Sequence, residues 1–229
     1  MNKRQDFGAL SDERRRLLES LLRKEGVDPA CLPIARQQTI PGVSASYAQQ
    51  GLLFTARLTE SSPVYNIGTL ARFSGPLDPS ILQRCFQEIV RRHEVLRTHF
   101  AVEEGQGIQV IDAPGLFRIE QLDLSGLEER AREAEVRRLA QEEVSHGFDL
   151  SRGPLFRAKL VDLGRQDHVL LATMHHIVSD GWSIGILIRE VAALYEAYSQ
   201  GRSSPLPELA IQYSDYAAWQ RSRLQGETL

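Results

Sequence analysis

Met174-His175-His176-Ile177-Val178-Ser179-Asp180-Gly181-Trp182-Ser183 joins the end of an apolar strand to the start of a helix. The run His168 to Met174 is apolar on both faces, as expected for a central strand covered on both sides. It leads directly into two histidines, a tight turn and the start of a helix. Successive strand side chains point to opposite faces, so His175 and His176 cannot both serve one site while strand geometry holds. One is expected to face a cleft and the other the interior. Imidazole is the side chain suited to proton transfer near neutral pH. Asp180 is placed to brace the turn, and Gly181 is expected to take a backbone conformation closed to other residues. Read alone, the pair fits hydrogen-bonded core histidines as well as it fits a catalyst. A shared metal ion is disfavoured by the opposed faces and by the want of a third ligand nearby, so no metal is expected.

The turn opens a helix from about Trp182 to Ser199. Its buried stripe is Ile184, Leu187, Ile188, Val191, Leu194, Tyr195 and Tyr198. A Pro- and Ser-containing loop over 201–209 precedes a short helix from roughly Ser214 to Leu224. Upstream, Leu155–Val161 alternates, with Phe156, Ala158 and Leu160 on one face and Arg157 and Lys159 on the other. Ser125 and Glu128 have capping-box spacing and are expected to open a charged helix to about Val144. Glu128–Arg132 and Glu133–Arg137 are i,i+4 pairs on its wet side. Strands are predicted at Asn66–Ser74, Leu96–Val102, Ile108–Ile111 and Phe117–Leu122. Asp78 caps a helix with Pro79 at its first position, Leu77 and Leu82 as a staple, and Leu82, Cys85, Phe86 and Ile89 buried. Ser46 is the candidate cap of a helix running to about Leu58.

Residues 1–38 read as a helical leader. Ser11 is its cap, Leu17, Leu18, Leu21 and Leu22 form a narrow stripe, and Gly26 ends it. Pro29, Pro33 and Pro41 mark an extended connector. Residues 39–229 form the dense part. Strands and helices intermix with several adjacent strands, so the fold class is α/β, a mixed sheet with packed helices.

The 229 residues carry 27 basic and 30 acidic side chains, a formal net charge of −3. That balance excludes a broadly basic nucleic-acid binder. Two cysteines, Cys31 and Cys85, make no disulfide framework or thiolate zinc site. The amino terminus lacks the apolar core of a secretory signal, and no apolar run reaches the roughly 18 residues of a membrane span. The expected compartment is the cytoplasm.

Three further segments stand in order with the two histidines: Ser46-Tyr47-Ala48-Gln49-Gln50-Gly51-Leu52-Leu53-Phe54, Arg92-His93-Glu94-Val95-Leu96-Arg97-Thr98-His99-Phe100 and Tyr213-Ser214-Asp215-Tyr216-Ala217-Ala218-Trp219. Together the four resemble the ordered motifs of nonribosomal peptide synthetase condensation domains, whose signature is His-His-x-x-x-Asp-Gly. Two positions depart from the pattern, since the family often has Arg at the place of Gly51 and an aromatic residue at that of Leu53.

The resemblance implies one lobe of a chloramphenicol-acetyltransferase-like fold, a two-layer mixed-sheet sandwich. It implies peptide-bond formation, in which an acceptor amine attacks a donor thioester. Both substrates ride on 4′-phosphopantetheine arms of upstream donor and downstream acceptor carrier domains, so no cofactor is bound directly. The second histidine, here His176, is implied to orient the acceptor amine and to take its proton. His175 and Asp180 are implied to be structural, with an ion pair from Asp180 to Arg92 holding the loop. The Gly181 N–H is a candidate oxyanion donor. Arg97 and Trp219 map to architectural positions. Retention of both histidines disfavours a ring-forming relative. An epimerisation-type relative, a non-catalytic carrier-docking module and a small stand-alone acyltransferase remain as alternatives. Family domains are about twice this long, and every motif found belongs to their amino-terminal half. The expectation is therefore an amino-terminal lobe without its carboxy-terminal partner, exposing His176 and inactive alone, with an adenylation domain in the same synthetase.

Overall fold

The computed structural model describes residues 12–26, 32–36, 42–58, 62–164 and 166–224. Helix α1 (Asp12–Lys24) comes first. Gly26, at φ +73°, closes it in the left-handed conformation that favours glycine. Its expected cap, Ser11, and two of the connector prolines, Pro29 and Pro41, lie outside the described residues, as does Cys31. On the leucine stripe, Leu17 and Leu21 face solvent while Leu18 and Leu22 are half-buried.

Strand β1 (Val43–Ser44) leads into α2 (Tyr47–Leu58). A short 3-10 turn precedes β2 (Asn66–Ser74), and α3 (Pro79–Arg92) follows. The Asp78 carboxylate accepts from the amides of Ser80 and Ile81, and Pro79 supplies the first helical residue. The predicted strand from Leu96 begins later, because Glu94–Arg97 winds into a 3-10 turn before β3 (Thr98–Glu103). The hairpin partner β4 (Gln106–Ile111) comes next, then β5 (Glu120–Asp123) and α4 (Glu129–Ser145). Strands β6 (Phe156–Asp162) and β7 (Asp167–His175) lead to α5 (Gly181–Ser199) and α6 (Tyr213–Arg223).

Two sheets result. The smaller has the order β1-β4-β3, and the larger β2-β7-β6-β5. All pairings are antiparallel except β5 with β6, so the sheet is mixed, as expected. Alternation along β6 and β7 sends Phe156, Ala158, Leu160, Leu170, Ala172 and Met174 to one face. There they pack on Leu82, Phe86 and Ile89 of α3 and on Leu194 and Tyr198 of α5. This is the predicted sandwich of sheet and helices. Val161, Val169 and Leu171 point the other way, onto Val136 and Leu139 of α4, which adds a layer on the opposite face. Covering on both sides explains why β7 reads as a continuous apolar run. The close approach of α4 also needs Gly68 in β2, since a Cβ there would lie 2.2 Å from Val144 Cγ1.

Three local expectations fail. The Ser125–Glu128 capping box does not form; the Asp123 carboxylate instead accepts from the Ser125 amide at 2.9 Å, tightening a turn, and α4 starts later, at Glu129. The pairs Glu128–Arg132 and Glu133–Arg137 are replaced by longer reaches. Arg132 Nη1 donates to Leu163 O at 2.6 Å, and Glu133 pairs with Arg72 at 2.8 Å. Finally, Phe117 and Ile119 precede β5 instead of belonging to it. Their amides are taken by Gln87 and Gln83 of α3, whose side-chain N–H groups donate to Gly115 O and Phe117 O. Two glutamines one helical turn apart thus stand in for a neighbouring strand.

Candidate active site

The site is built where β7 runs out. His175, its last residue, donates its amide to Leu155 O at 3.0 Å, and His176 donates to Tyr65 O at 2.8 Å. Consecutive amides therefore bond to opposite neighbours, and the side chains point to opposite sides. His175 is buried and His176 is exposed. The His175 Nδ1 accepts the Ile177 amide at 3.1 Å, which places its proton on Nε2. Its ring lies edge-on to Phe148, with centroids 6.3 Å apart, and beside Tyr65. Burial, aided by the nearby His176, depresses its pKa to about 4, so it is neutral at physiological pH.

The chain turns back at once, with Val178 N donating to His175 O at 3.0 Å. Asp180 then caps α5, accepting from Ser183 N at 2.8 Å and Ser183 Oγ at 2.6 Å. These bonds hold its carboxyl below the usual range. The expected ion pair between Asp180 and Arg92 is not formed. Arg92 lies buried at the end of α3 and donates from Nε to Glu190 of α5 at 3.2 Å and from Nη1 to Pro207 O. His93 Nε2 meets the same carboxylate at 2.6 Å. Cap chemistry at the α5 N-terminus already satisfies Asp180, and Glu190 is the acid that Arg92 and His93 share. Its signal was in the sequence: it sits three residues after Leu187 and four before Leu194, on a stripe that is otherwise apolar.

Gly181 also departs from expectation. It is exposed, takes no left-handed conformation, and a Cβ on it would meet nothing within 4 Å among the described residues. The lobe's own backbone does not require a glycine there. Trp182 beside it is 80% exposed, so packing within the lobe does not explain the tryptophan either.

Arg97 is placed away from this turn, donating to Asp112 O and lying 3.6 Å from Glu94. Trp219 is half-buried on α6 and stacks on Tyr216 with centroids 6.1 Å apart. Arg97 braces its turn and Trp219 packs on its own helix.

Three polar side chains that the sequence gives no role, Gln49, Tyr213 and Gln212, tie the motifs together. Gln49, 1% exposed, donates from Nε2 to Ile177 O at 3.3 Å. Its Oε1 accepts the Ser46 amide at 3.0 Å, while Ser46 Oγ accepts the Gln49 amide at 3.2 Å. This is a capping box, so the expected cap role of Ser46 is realised with a reciprocal partner. Tyr213 on α6 places its hydroxyl 3.0 Å from Ser46 Oγ. Gln212 bridges Arg92 O and the Glu94 amide at 2.8 and 3.0 Å. All four motifs thus meet around one edge of the lobe.

The sequence profile of the condensation domain family matches residues 40–229. A linear gramicidin synthase of Brevibacillus parabrevis is 44% identical over 91% of the chain, which spans 4% of that protein. A phosphinothricin tripeptide synthetase of Streptomyces viridochromogenes is 40% identical over 97% of the chain and is spanned to 21%. The chain therefore covers a small part of the curated relatives it matches. Among solved structures, the X-domain from teicoplanin biosynthesis superposes with a TM-score of 0.73 at 30% identity, over 84% of this chain and 41% of that one. The first condensation domain of the CDA synthetase shares the fold, with a TM-score of 0.74 at 23% identity over 82% of this chain and 48% of that one.

Proposed function

The chain belongs to the condensation domain family, and from that premise we propose that it supplies one lobe of a catalyst for peptide-bond formation within a nonribosomal peptide synthetase. The substrates are a donor acyl or peptidyl thioester and an acceptor aminoacyl thioester, each tethered to the 4′-phosphopantetheine arm of a carrier domain. The acceptor nitrogen attacks the donor carbonyl carbon. The resulting tetrahedral centre expels the donor thiolate, and the proton lost from nitrogen balances the charge on sulfur.

The observation that carries this reading is the asymmetry of the two imidazoles. His175 is sealed and neutral, while His176 stands exposed on a backbone held on both sides. His176 orients the acceptor amine and receives its proton. Positioning supplies much of the rate, because a thioester is already activated and a free amine is already nucleophilic. The Gly181 N–H, at the N-terminus of α5, is the main-chain donor assigned to the developing oxyanion.

The exposed turn with Gly181 and Trp182 is the surface against which a second lobe closes. The solved relatives, of which this chain spans less than half, are long enough to provide one. The carrier domains and an adenylation domain of the same synthetase are the further partners, and the lobe alone is inactive. In an intact synthetase containing this domain, His176→Ala abolishes dipeptide formation while both carriers still load, as read by mass spectrometry of the carrier arms. Undiminished dipeptide formation would remove His176 from the mechanism.

A further inference from the structure

We propose that Gln49 is a positioning residue for His176: its side-chain amide, oriented by the Ser46 N–H, holds the Ile177 carbonyl and so fixes the backbone that presents the exposed imidazole. The inference rests on the role proposed for His176.

The backbone around His176 is held at three points. The His176 amide donates to Tyr65 O at 2.8 Å. The next amide, on Ile177, is taken by His175 Nδ1 at 3.1 Å. The Ile177 carbonyl accepts from Gln49 Nε2 at 3.3 Å. The second and third contacts act on the two consecutive peptide units that follow His176, and they set the path of the turn. Of the three, the Gln49 contact is the one that reaches in from a different helix, 128 residues away.

The amide can point only one way. The Ser46 N–H needs an acceptor and the Ile177 carbonyl needs a donor, so Oε1 faces the first and Nε2 the second. Glutamine at this place also does more than its helix requires. A capping box needs only a side-chain acceptor, and glutamate serves there as well as glutamine. The Nε2 donor is surplus to the cap, and its use is at the turn. Gln49 is 1% exposed and Ile177 3% exposed, so water does not replace the bond if it is lost. Ser46 Oγ, which accepts the Gln49 main-chain N–H, is within 3.0 Å of the Tyr213 hydroxyl, so α6 braces the cap of α2 and not the side-chain amide.

Gln49→Glu separates cap from positioning. The carboxyl keeps an acceptor for the Ser46 amide, and its remaining oxygen faces the Ile177 carbonyl. When protonated, that oxygen donates as the amide did. When ionised, it cannot donate, and it repels the carbonyl. Burial raises the pKa of such an acid, so the change falls between about pH 6 and 9.

The measurement is the single-turnover rate of dipeptide formation in an intact synthetase with both carriers loaded. Each variant rate is divided by that of the unsubstituted enzyme at the same pH. The ratio is expected near one at the acid end and about tenfold lower at the alkaline end, with the apparent KM for the acceptor carrier unchanged. A ratio independent of pH, whether at one or below it, overturns the proposal, because a damaged cap has no reason to titrate. Should Gln49→Glu fail to fold, Gln49→Met carries the test. It keeps the length of the side chain and removes its donor to Ile177 O, and it is expected to slow the reaction about tenfold at constant KM; an unchanged rate overturns the proposal. His176→Ala in the same synthetase keeps the two readings apart. If that variant is dead while the Gln49→Glu ratio is flat, only the inference falls. If it is fully active, the role of His176 falls first.

Discussion

Of two adjacent histidines one is buried and the other exposed, and the burial has a thermodynamic signature. His175 has a folded-state pKa of about 4 against an ordinary value of 6.5. Between those values the unfolded chain binds the extra proton and the folded chain does not. Stability is therefore unaffected by this group above about pH 6.5 and is lost progressively as pH falls toward 4. The ceiling is on the order of 3 kcal/mol. Urea unfolding midpoints are expected to drop across that window, and His175→Gln is expected to flatten the drop. A second residue-scale outcome follows from where Arg92 points. Asp180→Asn keeps a good helix cap and should cost well under about 1 kcal/mol. Glu190→Gln leaves the buried Arg92 charge without its carboxylate and should cost roughly 3 kcal/mol. The reverse order in denaturant titrations would show that the Asp180–Arg92 pairing read from the motifs is the real one.

At the scale of elements, β2 and α4 are locked by the absence of a side chain. Gly68→Ala would drive its Cβ to 2.2 Å from Val144, whose branched side chain has little rotamer freedom. The expected loss is about 1–3 kcal/mol by thermal unfolding. Pairing it with Val144→Ala should recover most of that loss. The elements most legible in the sequence are those whose pattern is intrinsic. The alternation of β2 and β6, the apolar run of β7, the Asp78-Pro79 start of α3 and the stripe of α5, except Ile188, which is exposed, all depend on neighbours within a few residues. What was misread depends on distant partners. The Ser125–Glu128 spacing lost to an Asp123 turn, and the helix-surface ion pairs of α4 lost to Leu163 O and to Arg72 on β2. The site divides the same way. The opposed faces of His175 and His176 follow from local strand spacing, whereas the contacts of Glu190, Gln49 and Tyr213 span 97 to 167 residues of chain.

Across the whole molecule, the polar ties that matter join segments far apart. Arg36 of the connector reaches Glu94 at 2.6 Å and Asp215 at 3.2 Å. Arg221 donates to Ala45 O at 2.8 Å, while Gln220 accepts the Tyr47 amide at 3.0 Å. The start of the dense region and its last helix are thus one unit, and the turn bearing His176 lies between them. The glutamine pair on α3 also governs amide hydrogen exchange. The amides of Phe117 and Ile119 lie outside any strand, yet each is capped by a side chain anchored in a helix and sits over buried rings. Their exchange cannot be relieved by the fraying that frees ordinary loops. It is expected to proceed only when the sheet and α3 open together, at the rate of the slowest strand amides. In Gln83→Met, Ile119 alone should exchange early while Phe117 keeps its protection, a separation that amide-resolved exchange would read directly.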